Sequence, residues 1–288
     1  MATTKEYNVK LKSLKNTQKI TKTMKMISAS KLRKFQQAQA NAKIYANSIR
    51  HLVSRIAVSV DSSCHPLLQA RAQVKNILIV LVTSDRGLCG AFNNNVNKQV
   101  LTWISHNNQY EKIDLVCCGK RGHLFFQKKA NINKFYKDST PNPTFETASR
   151  IGDDLSKIFI SGEYDEVYVT HNQFFSPLLQ KTIFKKILPV DPRALSKEGP
   201  QYNTDYIFEP RPEELLTFLI SQYLFFRIYF TLLENAAGEH GARMTAMDNA
   251  TKNASELIEK YTLLRNRARQ AAITTELIEI VAGAEALK

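Results

Sequence analysis

The turn Ser84-Asp85-Arg86-Gly87-Leu88-Cys89-Gly90 follows an apolar run, Val74 to Thr83, and precedes a helical stretch from Ala91 to about His106. A nucleotide-binding α/β protein holds phosphate at such a strand-turn-helix junction, because the N–H groups of a helix N-terminus attract anions. The spacing is neither G-x-G-x-x-G nor G-x-x-x-x-G-K-[ST], so a tight turn that needs glycine explains it more simply. Gly119-Lys120-Arg121-Gly122 poses the same choice between bases that meet phosphate and a solvated turn. Cys89 precedes a helix, a place that lowers a thiol pKa, but no histidine near it in sequence can serve as its base. Cys117 and Cys118 are adjacent in a strand, point to opposite faces and read as packing residues. The histidines (His51, His65, His106, His123, His171, His240) form neither H-x-x-x-H nor H-E-x-x-H. Asp153-Asp154 and Glu213-Glu214 look like charge compensation at helix N-termini. No catalytic residue, cofactor site or metal ligand is assigned.

Charge is the stronger signal. Of the net +14, residues 1–60 carry +12, with Glu6 their single acid, while residues 212–288 carry −2. A positive field of that kind calls for nucleic acid, anionic lipid or an acidic protein surface, unless it is only a solvated helix face. The basic segment has no aromatic residue between Tyr7 and Phe35 and no RNA-recognition or helix-turn-helix signature. For a lipid surface it offers Leu11, Leu14, Ile20, Met24, Ile27 and Leu32 but no Trp or Phe. The longest aliphatic run, Ile77 to Val82, is too short to cross a bilayer. No signal peptide is evident, and four cysteines without paired spacing suit a reducing compartment, so an intracellular location is expected.

Glycine and proline divide the chain. All nine prolines lie between Pro66 and Pro212, and the first glycine is Gly87. Their absence before residue 65 predicts one helix from about Thr4 to Ser59, and a second helical pattern runs from Pro212 nearly to the end. Phe35, Ala38, Ala42, Tyr45, Ile49, Leu52 and Ile56 form one heptad seam. A second seam follows Met247, Ala250, Ala254, Leu257, Tyr261 and Leu264, and continues through Ala268, Ala271, Thr275, Ile278 and Ala282. Leu215 to Leu233 is apolar almost all round and should be buried against another layer. Between the helices, strands are expected at Val74–Thr83, Lys112–Cys118 and Glu166–Thr170, with a fourth of uncertain register within Leu178–Leu188. The expected fold is α/β plus a long antiparallel coiled coil. Residues 1–60 and 212–288 form the paired helices, and residues 61–211 a central Rossmann-like α/β domain with a mostly parallel sheet.

Three segments, in order, carry a family resemblance: NTQKITKTMKMISASKLRK from Asn16 to Lys34, SDRGLCGAFN from Ser84 to Asn93, and ARQAAITTELIEIVAGAEAL from Ala268 to Leu287. The chain resembles the gamma subunit of F-type ATP synthases. The resemblance implies a noncatalytic rotary shaft without a cofactor, which couples ion-driven rotation of a membrane ring to conformational cycling of an alpha/beta hexamer. It implies hexamer contacts by Lys22, Met24 and Lys25 at an acidic lever loop of beta, and by Arg269, Gln270 and Thr274 at hexamer loops. Ile278, Ile280, Val281 and Leu287 match an apolar tip held in a hydrophobic sleeve. Tyr206, Ile207, Phe208 and Glu209 match the foot that meets the ring of c subunits, with the epsilon subunit beside the α/β domain. The implied location is peripheral, on the cytoplasmic face of a bacterial membrane, with neither nucleic acid nor direct membrane insertion. A basic coiled-coil nucleic-acid-binding protein and a nucleotide-dependent enzyme are the alternatives. Gly238 and Gly241 stand where the family more often has serine and alanine, which suggests a locally softer helix.

Overall fold

The computed structural model describes residues 3–59, 65–191, 209 and 211–285. Helix α1 spans Thr4–Ser59 and helix α5 spans Pro212–Glu285. Between them come β1 (Asn76–Val82), α2 (Phe92–His106), β2 (Lys112–Cys118), α3 (Lys120–Phe126), β3 (Asn131–Tyr136), α4 (Phe145–Ile160), β4 (Glu166–Phe174) and β5 (Gln180–Leu188). The chain divides into two compact units, one of residues 1–28 with 243–288 and one of residues 29–242.

In the larger unit the sheet order is β3-β2-β1-β4-β5. The β1–β2, β1–β4 and β2–β3 pairs are parallel, and β4–β5 is antiparallel. The run NILIVLV of β1 is continuously apolar because both faces of the sheet are covered. Leu78, Val80, Val82 and Cys118 face a core shared with α4, α5 and the α1 residues Ile49, Val53 and Ile56. Ile77, Ile79, Leu81 and Cys117 face the other way, onto Val96 and Val100 of α2 and Phe126 of α3. The two cysteines therefore pack on opposite faces, as their adjacency predicts. Strand β3 had no counterpart among the expected strands: it is a short edge strand, NINKFY, whose Asn and Lys side chains stay largely in solvent and blunt the alternation. The β4–β5 hairpin fixes the uncertain register at Thr170↔Phe184 and Tyr168↔Lys186.

Three further expectations need correction. Asp153 and Asp154 lie mid-helix, because α4 begins at Phe145 under a Thr144 cap. Asp154 accepts hydrogen bonds from Lys134 Nζ at 2.7 Å and from the Tyr136 hydroxyl. Glu213 and Glu214 do occupy the first turn of α5. In this unit Phe35, Ala42, Ile49 and Ile56 of α1 are buried as expected, but Tyr45 and Leu52 are exposed. Their places in the seam belong to Leu32 and Val53, with Gln39 and Ala46 half-buried between them. A polar residue in the stripe, Gln39, disguised it. By length and composition one stretch of α5 is apolar enough to cross a bilayer, which the aliphatic-run criterion overlooked. One side of it is committed to the core through Leu216, Ile220, Leu224, Ile228 and Leu232. Gly152 of α4 permits this approach, since a Cβ there would lie 2.4 Å from the Phe225 ring.

In the smaller unit the two helices run antiparallel through polar pairs. Gln18 donates to Ser255 at 2.7 Å, the Thr21 and Thr251 hydroxyls are 2.8 Å apart, and Lys25 pairs with Asp248 at 2.6 Å. Met247 and Ala254 are buried, whereas Leu257, expected in the seam, is exposed. The Tyr7 and Tyr261 rings lie 6.2 Å apart, Leu264 and Ala268 beyond them are still half-buried, and exposure is continuous only from Arg269. Ala271, Thr275, Ile278 and Ala282 are consequently exposed and not in an intrachain seam.

Candidate partner-contact surface

The two glycine turns are hydrogen-bonded to each other. Asn93 of α2 closes the first, its Oδ1 accepting from Ser84 N–H at 2.9 Å and its Nδ2 donating to Ser84 Oγ at 2.7 Å. Asp85 Oδ1 accepts from the N–H of Lys120 at 2.6 Å, and the N–H of Gly122 donates to Thr83 Oγ1 at 2.9 Å. Gly119, at φ 106°, has no room for a side chain, since a Cβ would lie 2.3 Å from the Thr83 carbonyl oxygen. Backbone donors that a phosphate would need at α3 are thus spent inside the fold. Cys89, Cys117 and Cys118 are buried free thiols, and burial pushes Cys117 up to about 12. Among the described residues no cluster of His, Cys, Asp or Glu could hold a metal.

The described residues assigned to hexamer contact lie on the helices of the smaller unit. Lys22 is exposed, Met24 is half-buried, and Lys25 is tied to Asp248. Lys25 and Lys252 together hold the Asp248 carboxyl below the usual carboxylate range. Arg269 and Gln270 are exposed, and the Thr274 hydroxyl donates to the Gln270 carbonyl at 2.9 Å. Beyond the reach of α1 the tip of α5 presents Ile278, Ile280 and Val281 at 63%, 67% and 62% exposure. Ile273 and Leu277 belong to the same uncovered surface and went unassigned, as did Ile20, Met26 and Ile27 on α1. The signal for Ile273 and Leu277 was their place off the α5 seam, and Ile20 and Ile27 had figured only among the apolar residues offered to a lipid surface. Glu209 is exposed. Tyr206, Ile207, Phe208 and Leu287 lie outside the described residues.

Two paired helices that end in a bare apolar overhang are a surface for a protein partner, and comparison with known proteins gives the context. Residues 3–287 match the family described as ATP synthase. The ATP synthase gamma chain of Bdellovibrio bacteriovorus is 44% identical over 299 residues, covering 100% of both chains. This chain belongs to the ATP synthase gamma chain family. The gamma chain of Geobacter metallireducens is 43% identical, again over 100% of both chains. A chain from the central stalk and c-ring of the Tetrahymena thermophila mitochondrial ATP synthase is 25% identical with a TM-score of 0.60, covering 80% of this chain and 99% of that one. A chain of the Euglena gracilis mitochondrial enzyme shares the fold, with a TM-score of 0.67 at 18% identity, over 99% of this chain and 94% of that one. A gamma chain is a central-stalk subunit of the synthase and is not its catalytic subunit. The nucleic-acid alternative gains no support from these relatives.

Proposed function

We propose that this gamma chain couples ion-driven rotation of a membrane ring of c subunits to conformational cycling of a catalytic hexamer of alpha and beta subunits, with epsilon beside its α/β domain. The observation that carries this is the overhang: residues 269–285 of α5 are exposed throughout and end in an apolar tip that no part of the described chain covers. An uncovered apolar helix end is stable in water only at a cost, and a hydrophobic sleeve supplied by a partner removes that cost. One asymmetric shaft inside a pseudo-threefold hexamer meets its three catalytic sites unequally, so turning it shifts each site in sequence among states of different nucleotide affinity.

In this proposal Lys22, Met24 and Lys25 meet the beta lever loop, and Arg269, Gln270 and Thr274 bind hexamer loops. Ile278, Ile280, Val281 and Leu287 fill the sleeve, and Tyr206 to Glu209 form the foot on the ring. Residues 1–60 and 212–288 serve as shaft and residues 61–211 as the outer domain, at the cytoplasmic face of a bacterial membrane without insertion into it. The test is reconstitution with alpha and beta subunits, with assembly mass from light scattering and ATP hydrolysis recorded. One copy per hexamer and hydrolysis that depends on it are expected, with a loss of at least tenfold in Arg269→Ala/Gln270→Ala. No assembly, with salt-sensitive duplex binding instead, would overturn the proposal.

A further inference from the structure

A groove of about 600 Å³ lies between the α1 segment Gln36–Arg50 and the α5 segment Tyr223–Glu234, bordered by Gln173 and Phe174 of β4. Its size is in the range of sites that enclose small molecules. The two helices are antiparallel here: Gln39 Nε2 reaches Glu234 Oε1 at 3.4 Å, and the Tyr45 and Phe226 rings are 4.3 Å apart. That direction sorts the lining by chemistry. One end holds the Glu234 carboxylate and the carboxamides of Gln36, Gln39 and Gln173, while Lys43, Arg227 and Arg50 follow toward the other, with the Asn47 carboxamide among them. Phe230 and Tyr223 line the wall along the way. Gln39 and Arg50 are separated by about 16 Å of helix at about 1.5 Å per residue.

An occupant must satisfy both ends. A fatty acid would answer the cations but leave the carboxamides and the carboxylate facing hydrocarbon, which costs their hydrogen bonds. Inorganic phosphate would use the cationic end alone. A planar heterocycle with an exocyclic amine can donate to Glu234, exchange hydrogen bonds with the carboxamides and stack on an aromatic ring, and a chain of phosphates can reach the bases. We propose that this groove binds a nucleoside di- or triphosphate, with its amino-bearing base toward Glu234 and Gln39 and its phosphates toward Lys43, Arg227 and Arg50. The site is noncatalytic and independent of the rotary role.

Equilibrium dialysis of the full chain alone, without subunits that bind nucleotide themselves, tests this with labelled ADP and ATP. Saturable binding of one nucleotide per chain is expected. Lys43→Gln/Arg227→Gln should weaken it at least tenfold, and Phe230→Leu, which keeps an apolar side chain but removes the ring, several-fold. Lys12→Gln/Lys19→Gln removes the same charge outside the groove and should leave the affinity unchanged, with circular dichroism confirming that each variant is folded. No saturable binding, equal loss in the Lys12/Lys19 variant, or competition by tripolyphosphate as strong as by ADP would overturn the proposal; the last two would assign the effect to the general basicity of α1.

Discussion

His171 of β4 and Glu234 of α5 meet at 2.8 Å with side chains only 4% and 7% exposed. Burial lowers the proton affinity of His171; the hydrogen bond to Glu234 opposes this, while Arg227 and Lys185 add to it. The Nδ1 atom is buried without a hydrogen-bond partner. His65, also lowered by burial, acts in the same direction. As pH falls through the ordinary histidine value of 6.5, the unfolded chain takes up protons that the folded chain refuses, so stability is full above that value and declines below it. Thermal unfolding should therefore show the transition temperature falling from about pH 7 to pH 5, and His171→Gln should flatten that slope; an unchanged slope would remove His171 from the account. The pair was not legible in the sequence, because its partners stand 63 residues apart and neither belongs to a local motif. The packing of Cys117 and Cys118 was legible, because strand alternation alone dictates it.

At the scale of elements, Gly238 and Gly241 reverse the expectation that helix propensity sets. Residues 231–241 of α5 are buried on every side. A Cβ on Gly238 would lie 2.9 Å from the Phe92 ring, and one on Gly241 3.1 Å from the Phe174 ring and 3.2 Å from the Pro177 Cα. The glycines permit close approach of other elements, and that packing argues against a softer helix around them. Alanine at an exposed helical site would gain about 1 kcal/mol over glycine. Gly238→Ala should instead lower the denaturant midpoint, by an amount equivalent to about 1–3 kcal/mol for overpacking, and amides of this stretch should exchange no faster than those of the rest of α5. The lengths of α1 and α5 were legible because glycine and proline are so rare in them. Two of the seven α1 seam positions, Tyr45 and Leu52, were not, since the half-buried Gln39 in the actual stripe meets Glu234, which lies 195 residues away.

For the whole molecule, charge is more informative than any single pair. The first 60 residues hold nearly all of the net positive charge, and exposed charge of this kind acts through solvent that salt screens. If the proposed hexamer meets this charge with an acidic surface, the association rate of the chain with it should fall several-fold between about 50 and 500 mM salt. Dissociation, which in the proposed assembly is governed by the apolar tip, should change less; stopped-flow mixing separates the two. The order of helix, α/β core and helix was readable from composition and periodicity, whereas the overhang depended on the register of α1 on α5, with Gln18 against Ser255. The pairing of the first helix with the last also bears on biosynthesis. Gln18 and Ser255 are separated by 237 residues, so α1 leaves the ribosome long before its seam is matched. At about 5–20 residues per second the wait is roughly 10–50 s. For that time the nascent chain carries a solitary basic helix with half its stripe uncovered, and the buried stretch at 231–241 cannot be enclosed until synthesis is almost complete.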